Sequence, residues 1–209
     1  MGNIVTYYRR SRCPARFWGG RALKKMNSAK HADMPKWVLE DLEIPDNCRL
    51  LDIGCGGGAN LNRMLSLNPT ATAVGSDISK LAMEITREVN YRDIVDKRLL
   101  LLGGDATQLP LAKESYNLVT AFETIYYWHS MELGAQEMYR VLRPGGTCLI
   151  ANEMDGQAAD VRTFEKTVGG FRVYTIDEIA EYLANAGFTD IRSRHDETRH
   201  FICVTGKKL

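Results

Sequence analysis

The chain has 209 residues, 44% of them hydrophobic and 25% charged, which suits one soluble α/β domain with a full core and excludes a disordered or fibrous protein. The net charge of +1 supplies no global field for nucleic acid, and no apolar run approaches the roughly 18 residues of a membrane span. Five scattered cysteines form no CxxC pair, and their odd number argues against a disulfide framework, so a cytoplasmic location is expected.

Residues 1–32 are basic, with Arg9, Arg10, Arg12, Arg16, Arg21, Lys24, Lys25 and Lys30 and no acid. Such a segment reads as a solvated helical face or as a phosphate-seeking arm. Phe17-Trp18 precede a flexible Gly19-Gly20 joint, and a helix is expected from Arg21 to about Asn27. A second helix is expected to begin at Asp33 as N-cap, with Pro35 in its first turn and Val38, Leu39 and Leu42 facing inward.

The sequence then alternates strand and helix, which predicts a mainly parallel sheet covered on both faces. Leu50 to Ile53 form the first strand, and Gly54, Gly56, Gly57 and Gly58 crowd the turn before a helix carrying Leu61, Met64 and Leu65. Glycines there reach backbone angles closed to other residues and let a ligand approach the main chain. Expected next are a strand from Ala71 to Ser76, closing on Asp77, and a helix capped by Ser79 with Leu81, Ile85 and Val89 on one side. A third strand, Arg98 to Leu102, ends in Gly103-Gly104-Asp105, and a fourth runs from Tyr116 to Phe122.

Ser130 is expected to cap a helix with Met131, Ala135, Met138 and Leu142 inward. Arg143-Pro144-Gly145-Gly146 reads as a breaker turn before a fifth strand, Thr147 to Asn152. Residues 153–173 lack periodicity and read as a short insertion. Thr175 and Glu178 form a capping box for a helix that Gly187 stops. The last strands, Phe188 to Arg194 and His200 to Thr205, are too close in sequence for a parallel crossover, so they form an antiparallel hairpin.

The glycine turn alone admits two ligands. As G-x-G-x-x-A (Gly54, Gly56, Ala59), with Asp77 downstream, it fits a dinucleotide fingerprint. As D-x-G-x-G-x-G (Asp52, Gly54, Gly56, Gly58) it resembles the first motif of class I S-adenosylmethionine-dependent methyltransferases. The order of five alternating strands followed by a hairpin, the acids Asp77 and Asp105 at strand ends, and Leu142 to Gly146 as L-R-P-G-G also resemble that family, over about residues 35–205.

The resemblance implies a three-layer Rossmann-like α/β sandwich with a seven-stranded, mainly parallel sheet and a C-terminal antiparallel hairpin. It implies an N-terminal helical extension or lid at residues 1–45 and a catalytic domain at 46–209. It implies S-adenosyl-L-methionine as cofactor, held by Asp52, Gly54, Cys55, Gly56, Asp77, Ile78, Asp105, Ala106 and Glu123. In this reading Asp77 accepts from the ribose hydroxyls, Ile78 lies against adenine, Asp105 accepts from the adenine amine, and Glu123 meets the methionine end. Strand-end carboxylates suit a ligand with a diol, amines and a sulfonium, whereas a pyrophosphate gains nothing from Asp52.

Methyl transfer needs positioning more than acid or base chemistry, so catalytic residues are harder to read. Ile125 to His129, immediately beyond the fourth strand, supply the candidates: Tyr126, Tyr127 or His129 as proton acceptor, and Trp18, Tyr126 and Trp128 as substrate wall, with packing under the sheet edge as the alternative for each ring. No His/Asp cluster has metal-ligand spacing, and His195 and His200 are expected to face solvent at the hairpin tip. The expected function is methyl transfer to a small molecule, resembling quinone- and sarcosine-type domains, with no nucleic-acid partner. A phosphate-bearing or RNA substrate, an NAD-dependent oxidoreductase and a non-catalytic cofactor binder remain the alternatives.

Overall fold

The computed structural model describes residues 32–209. Its elements, in chain order, are α1 (Asp33–Leu39), β1 (Arg49–Ile53), α2 (Ala59–Leu67), β2 (Thr72–Asp77), α3 (Lys80–Val89), α4 (Tyr91–Val95), β3 (Leu99–Gly103) and β4 (Tyr116–Phe122), then a 3-10 turn (Ile125–Tyr127), α5 (Met131–Val141), β5 (Leu142–Asn152), α6 (Val161–Val168), α7 (Ile176–Asn185), β6 (Thr189–Asp196) and β7 (Phe201–Lys207).

The seven strands form one sheet in the order β3-β2-β1-β4-β5-β7-β6. The first five are parallel, and β7 runs antiparallel to both β5 and β6. The link between β6 and β7 is too short to cross the sheet, so β7 must return beside its predecessor. β1 and β4 are buried on both faces because helices cover both. Leu51, Ile53, Val119 and Ile150 pack with α5 and α7 on one side, while Leu50, Leu118 and Leu149 pack with α1 and α2 on the other. α1, expected within an N-terminal extension, is thus built into the main core through Met34 and Val38. The strand order reverses between β1 and β4, where an open sheet of this kind leaves a crevice beyond its carboxyl ends.

Local signals hold where the chemistry is local. Ser79 accepts from Ala82 N–H, Ser130 from Leu133 N–H, and Thr175 and Glu178 close a capping box. Four readings change. Ala32, not Asp33, stands at the N-cap of α1, with no side-chain bond, and Asp33 is the first helical residue. α3 buries Ala82, Ile85 and Thr86, while Val89 is exposed and Leu81 only half-buried. Arg143 to Gly146 is not a turn before β5 but an irregularity inside it: Leu142 pairs with Tyr116, and the next register pair is Leu118 with Thr147. The glycines absorb the extra residues, with Gly145 at φ +78°. The insertion at 153–173 contains a helix, α6, whose apolar side meets Tyr126, Phe171 and Val173.

Candidate functional site

The turn from β1 into α2 is tied to β2: Gly54 N–H and Cys55 N–H both donate to Ser76 O, at 2.7 and 3.0 Å. Gly54 sits at φ +70°, and a Cβ there would collide with the Thr124 side chain from the end of β4. Gly58, at φ +78°, is closed in the same way by Asn90 and Thr86. Two of the glycines therefore serve close packing as well as backbone conformation. The Cys55 thiol is buried, and burial, with the charges of Asp77 and Asp52, pushes its pKa well above the usual range. It stays a neutral thiol.

Carboxylates stand at the carboxyl ends of the parallel strands β1 to β4. Asp52 is 2% exposed within β1 and takes the Thr120 hydroxyl at 2.7 Å. Burial pushes its pKa up to about 7, against the Thr120 bond and with help from the Asp77 charge. Asp77 accepts from Gly56 N–H at 2.9 Å and from Ser79 N–H at 2.8 Å, so it shapes the glycine turn itself. Burial raises its pKa while those two bonds oppose the rise. Beside it, Ile78 is 68% exposed, an apolar surface left open between Asp77 and the end of β3.

Asp105 accepts from Thr107 N–H at 2.8 Å and from its hydroxyl at 2.7 Å. Burial acts upward on it, but those bonds and nearby His129 hold it below the usual carboxylate range. Ala106 is half-buried under the same loop. Glu123 ends β4 at φ +56°. Part of its surface stays open, yet its Oε1 is enclosed by the Tyr126 hydroxyl at 3.0 Å and by Glu153 N–H. Burial first, and then the Glu153 charge, push its pKa up to about 8.

The aromatic candidates divide. Tyr126 is 1% exposed; its hydroxyl donates to Glu123 and accepts from Met154 N–H at 3.2 Å. It packs on Phe171 with ring centroids 4.8 Å apart, and Tyr127 meets the edge of the same ring at 5.3 Å. Trp128 lies against α5, where Gly134 leaves room for its ring. His129 meets the Thr107 hydroxyl at 3.0 Å, with Asp105 3.7 Å off. Trp18 lies outside the described residues, as do Phe17 to Gly20 and the basic arm.

His195 and His200 are not simply solvated. Both converge on the buried Asp155, at 3.0 and 2.9 Å from Oδ2, and fasten the hairpin to the segment after β5. Residue spacing could not find this, because the three come together only through the β5–β7 register. Thr120 beside Asp52 and Glu153 beside Glu123 escape sequence reading for the same reason, since each meets its partner across strands. Among the described residues no group of three or more His, Cys, Asp or Glu could hold a metal ion, and no helix is long and apolar enough to cross a membrane.

Residues 51–150 match the family described as Methyltransferase domain. Over 149 residues the chain is 34% identical to 27-O-demethylrifamycin SV methyltransferase of Amycolatopsis mediterranei, covering 66% of this chain and 53% of that one. It is 26% identical to the uncharacterized methyltransferase YdaC of Bacillus subtilis, covering 87% and 94%. The chain thus spans about half the length of the first relative and nearly all of the second. Among solved structures, the putative methyltransferase in complex with the Haloferax volcanii Trm112 methyltransferase activator matches with a TM-score of 0.80 at 19% identity, covering 96% of both chains. At that identity the likeness concerns the fold.

Proposed function

The chain carries a class I S-adenosylmethionine-dependent methyltransferase domain, and from that premise we propose that the protein transfers a methyl group from S-adenosylmethionine to a small-molecule acceptor by in-line displacement. The observation that carries this reading is the glycine turn closed onto Asp77, with exposed Ile78 and half-open Asp105 on the same end of the sheet. The residues fit the cofactor. Each Asp77 oxygen already takes one backbone N–H but keeps lone-pair capacity for ribose hydroxyls. Ile78 offers an apolar face to adenine, Asp105 and the Ala106 backbone meet its polar edge, and Asp52 adds negative charge near the sulfonium. Gly54, Cys55 and Gly56 supply main chain to the methionine end.

The protein's part is to hold the methyl carbon in line with the acceptor atom and to keep water out. The relatives support a small acceptor: the first named above carries an O-demethylrifamycin in its name, and another, of Roseiflexus, is a demethylmenaquinone methyltransferase, 35% identical over 107 residues. In this reading residues 46–209 are the catalytic domain, with α1 of the preceding residues 1–45 packed into its core, and Trp18 is part of a cover.

Calorimetry tests the reading. S-adenosylmethionine and S-adenosylhomocysteine should bind and NAD should not. Tight NAD binding, with no response to the sulfonium compound, overturns it.

A further inference from the structure

The glycine turn is held from α3 as well as from β2. Gly56 N–H donates to Asp77 at 2.9 Å, and Gly56 O accepts from the Thr86 hydroxyl at 2.8 Å. Gly58 O accepts from the Asn90 side-chain amide at 3.0 Å. Thr86 lies on α3 and Asn90 directly follows that helix, four residues on, so both side chains meet the turn from one side. The Cys55 thiol is 3.9 Å from the Thr86 hydroxyl oxygen. A hydroxyl has one proton to give, and Thr86 gives it to Gly56, so here the thiol is the donor.

Neither side chain is kept for apolar bulk. Both are buried, and burying a hydroxyl or an amide is costly unless it is bonded. A threonine inside a helix can return its hydroxyl to the carbonyl four residues back, but Thr86 sends it across to the turn. Asn90 uses its amide nitrogen on Gly58 O and on Thr86 O at 3.1 Å, while its Oδ1 finds no partner among the described residues. The amide is thus held for what it donates. Gly58 lets α3 come this near: a Cβ there would stand 2.5 Å from Asn90 Nδ2 and 2.7 Å from Thr86 Cγ2.

We propose that Thr86 and Asn90 are positioning residues for cofactor binding, which hold the Gly56 and Gly58 carbonyls toward α3 and so fix the turn that S-adenosylmethionine meets. The inference deepens the methyl-transfer reading above and rests on it. Both residues are buried, so they act through the turn and not on the cofactor. A peptide unit is planar, so holding its oxygen also fixes the direction of the next N–H. Glycines lose more freedom on ordering than other residues, and a turn already ordered leaves less of that cost to binding.

Two substitutions at one position separate the bond from the packing. Thr86→Val keeps the shape and loses the hydroxyl; Thr86→Ser keeps the hydroxyl and loses a methyl. Both should melt about 2–4 °C below wild type, since a hydrogen bond and a buried methyl are of similar worth. Calorimetry should split them: Thr86→Val binds S-adenosylhomocysteine about tenfold more weakly, and Thr86→Ser stays within about twofold of wild type. Asn90→Leu, which has no donor for Gly58 O, should resemble Thr86→Val. In the free protein, amide hydrogen exchange across residues 54–58 should be faster in Thr86→Val and Asn90→Leu than in Thr86→Ser.

Wild-type affinity in Thr86→Val overturns the inference, as does equal weakening in Thr86→Ser, because packing alone would then decide binding. Failure of both Thr86→Val and Asn90→Leu to fold also overturns it, by making the pair part of the scaffold. A wild type that binds neither S-adenosylmethionine nor S-adenosylhomocysteine would instead overturn the methyl-transfer reading itself.

Discussion

Asp52→Asn isolates the cost of keeping an acid buried at the sheet's switch point. Asp52 is 2% exposed, its one side-chain bond comes from Thr120, and its pKa stands at about 7 against an ordinary 3.8. A folded-state pKa above the unfolded one means that the folded protein binds the extra proton. Its contribution to stability is fully present below pH 3.8 and is lost as pH rises through about 7. About three pH units at 1.36 kcal/mol each set an upper limit of about 4 kcal/mol, and about 2–3 kcal/mol is a sound expectation after relaxation of the site. Asparagine keeps an acceptor for the Thr120 hydroxyl and does not titrate. Urea unfolding of both proteins from pH 4 to pH 8.5 should therefore show the difference in stability shifting toward the variant by that amount. In thermal terms the shift is about 4–12 °C for a chain of this size. Glu123 and the other acids titrate in both proteins and cancel in the difference. Two parallel stability curves would refute the reasoning, because they would mean that Asp52 keeps its ordinary pKa in the fold.

Two further outcomes follow from bonds already described. Asp77→Ala should weaken S-adenosylhomocysteine binding by about 2–3 kcal/mol, the scale of charge-assisted bonds left unmade, and should also lower the melting temperature, because Gly56 and Ser79 N–H lose their acceptor; an unchanged dissociation constant removes Asp77 from the site. Asp155→Asn should speed hydrogen exchange across residues 153–173, since both imidazoles hold that segment through the one carboxylate oxygen. Against the pull of burial, bonds from Gln157 N–H, His200 and His195 depress the Asp155 pKa, so its support is present above pH 3.8 and fades as pH falls through the depressed folded value; exchange in the variant equal to wild type at pH 7 would show that the clasp holds nothing.

The parts of this molecule readable from sequence are those whose physics is local or strongly periodic. Ser79, Ser130 and the Thr175–Glu178 pair declare helix starts because a side-chain oxygen and an N–H three residues on need nothing else. The parallel strands are legible because burial on both faces demands unbroken apolar runs. Arg143 to Gly146 looks like a turn in sequence, yet the Gly145 and Gly146 backbones pair with Lys208 at the far end of the chain, and that partner decides the matter. Val89 fits an apolar stripe by spacing, but α3 leans so that Thr86 is buried instead, its hydroxyl donating to Gly56 O.

The site divides along the same line. That acids stand at the ends of β1, β2, β3 and β4 follows from position alone. What each can do depends on its neighbours, from another strand for Thr120 beside Asp52 and Glu153 beside Glu123, and from the same loop for Thr107 beside Asp105. Desolvation raises a buried acid, and hydrogen-bond donors or nearby cations lower it, so like residues at like places part ways. Asp105, with two bonds from Thr107 and His129 nearby, is held below the usual carboxylate range. Glu123, buried beside the Glu153 charge, is pushed up to about 8. Position alone therefore cannot say which of these acids is charged; the partners that the fold brings to each one decide it.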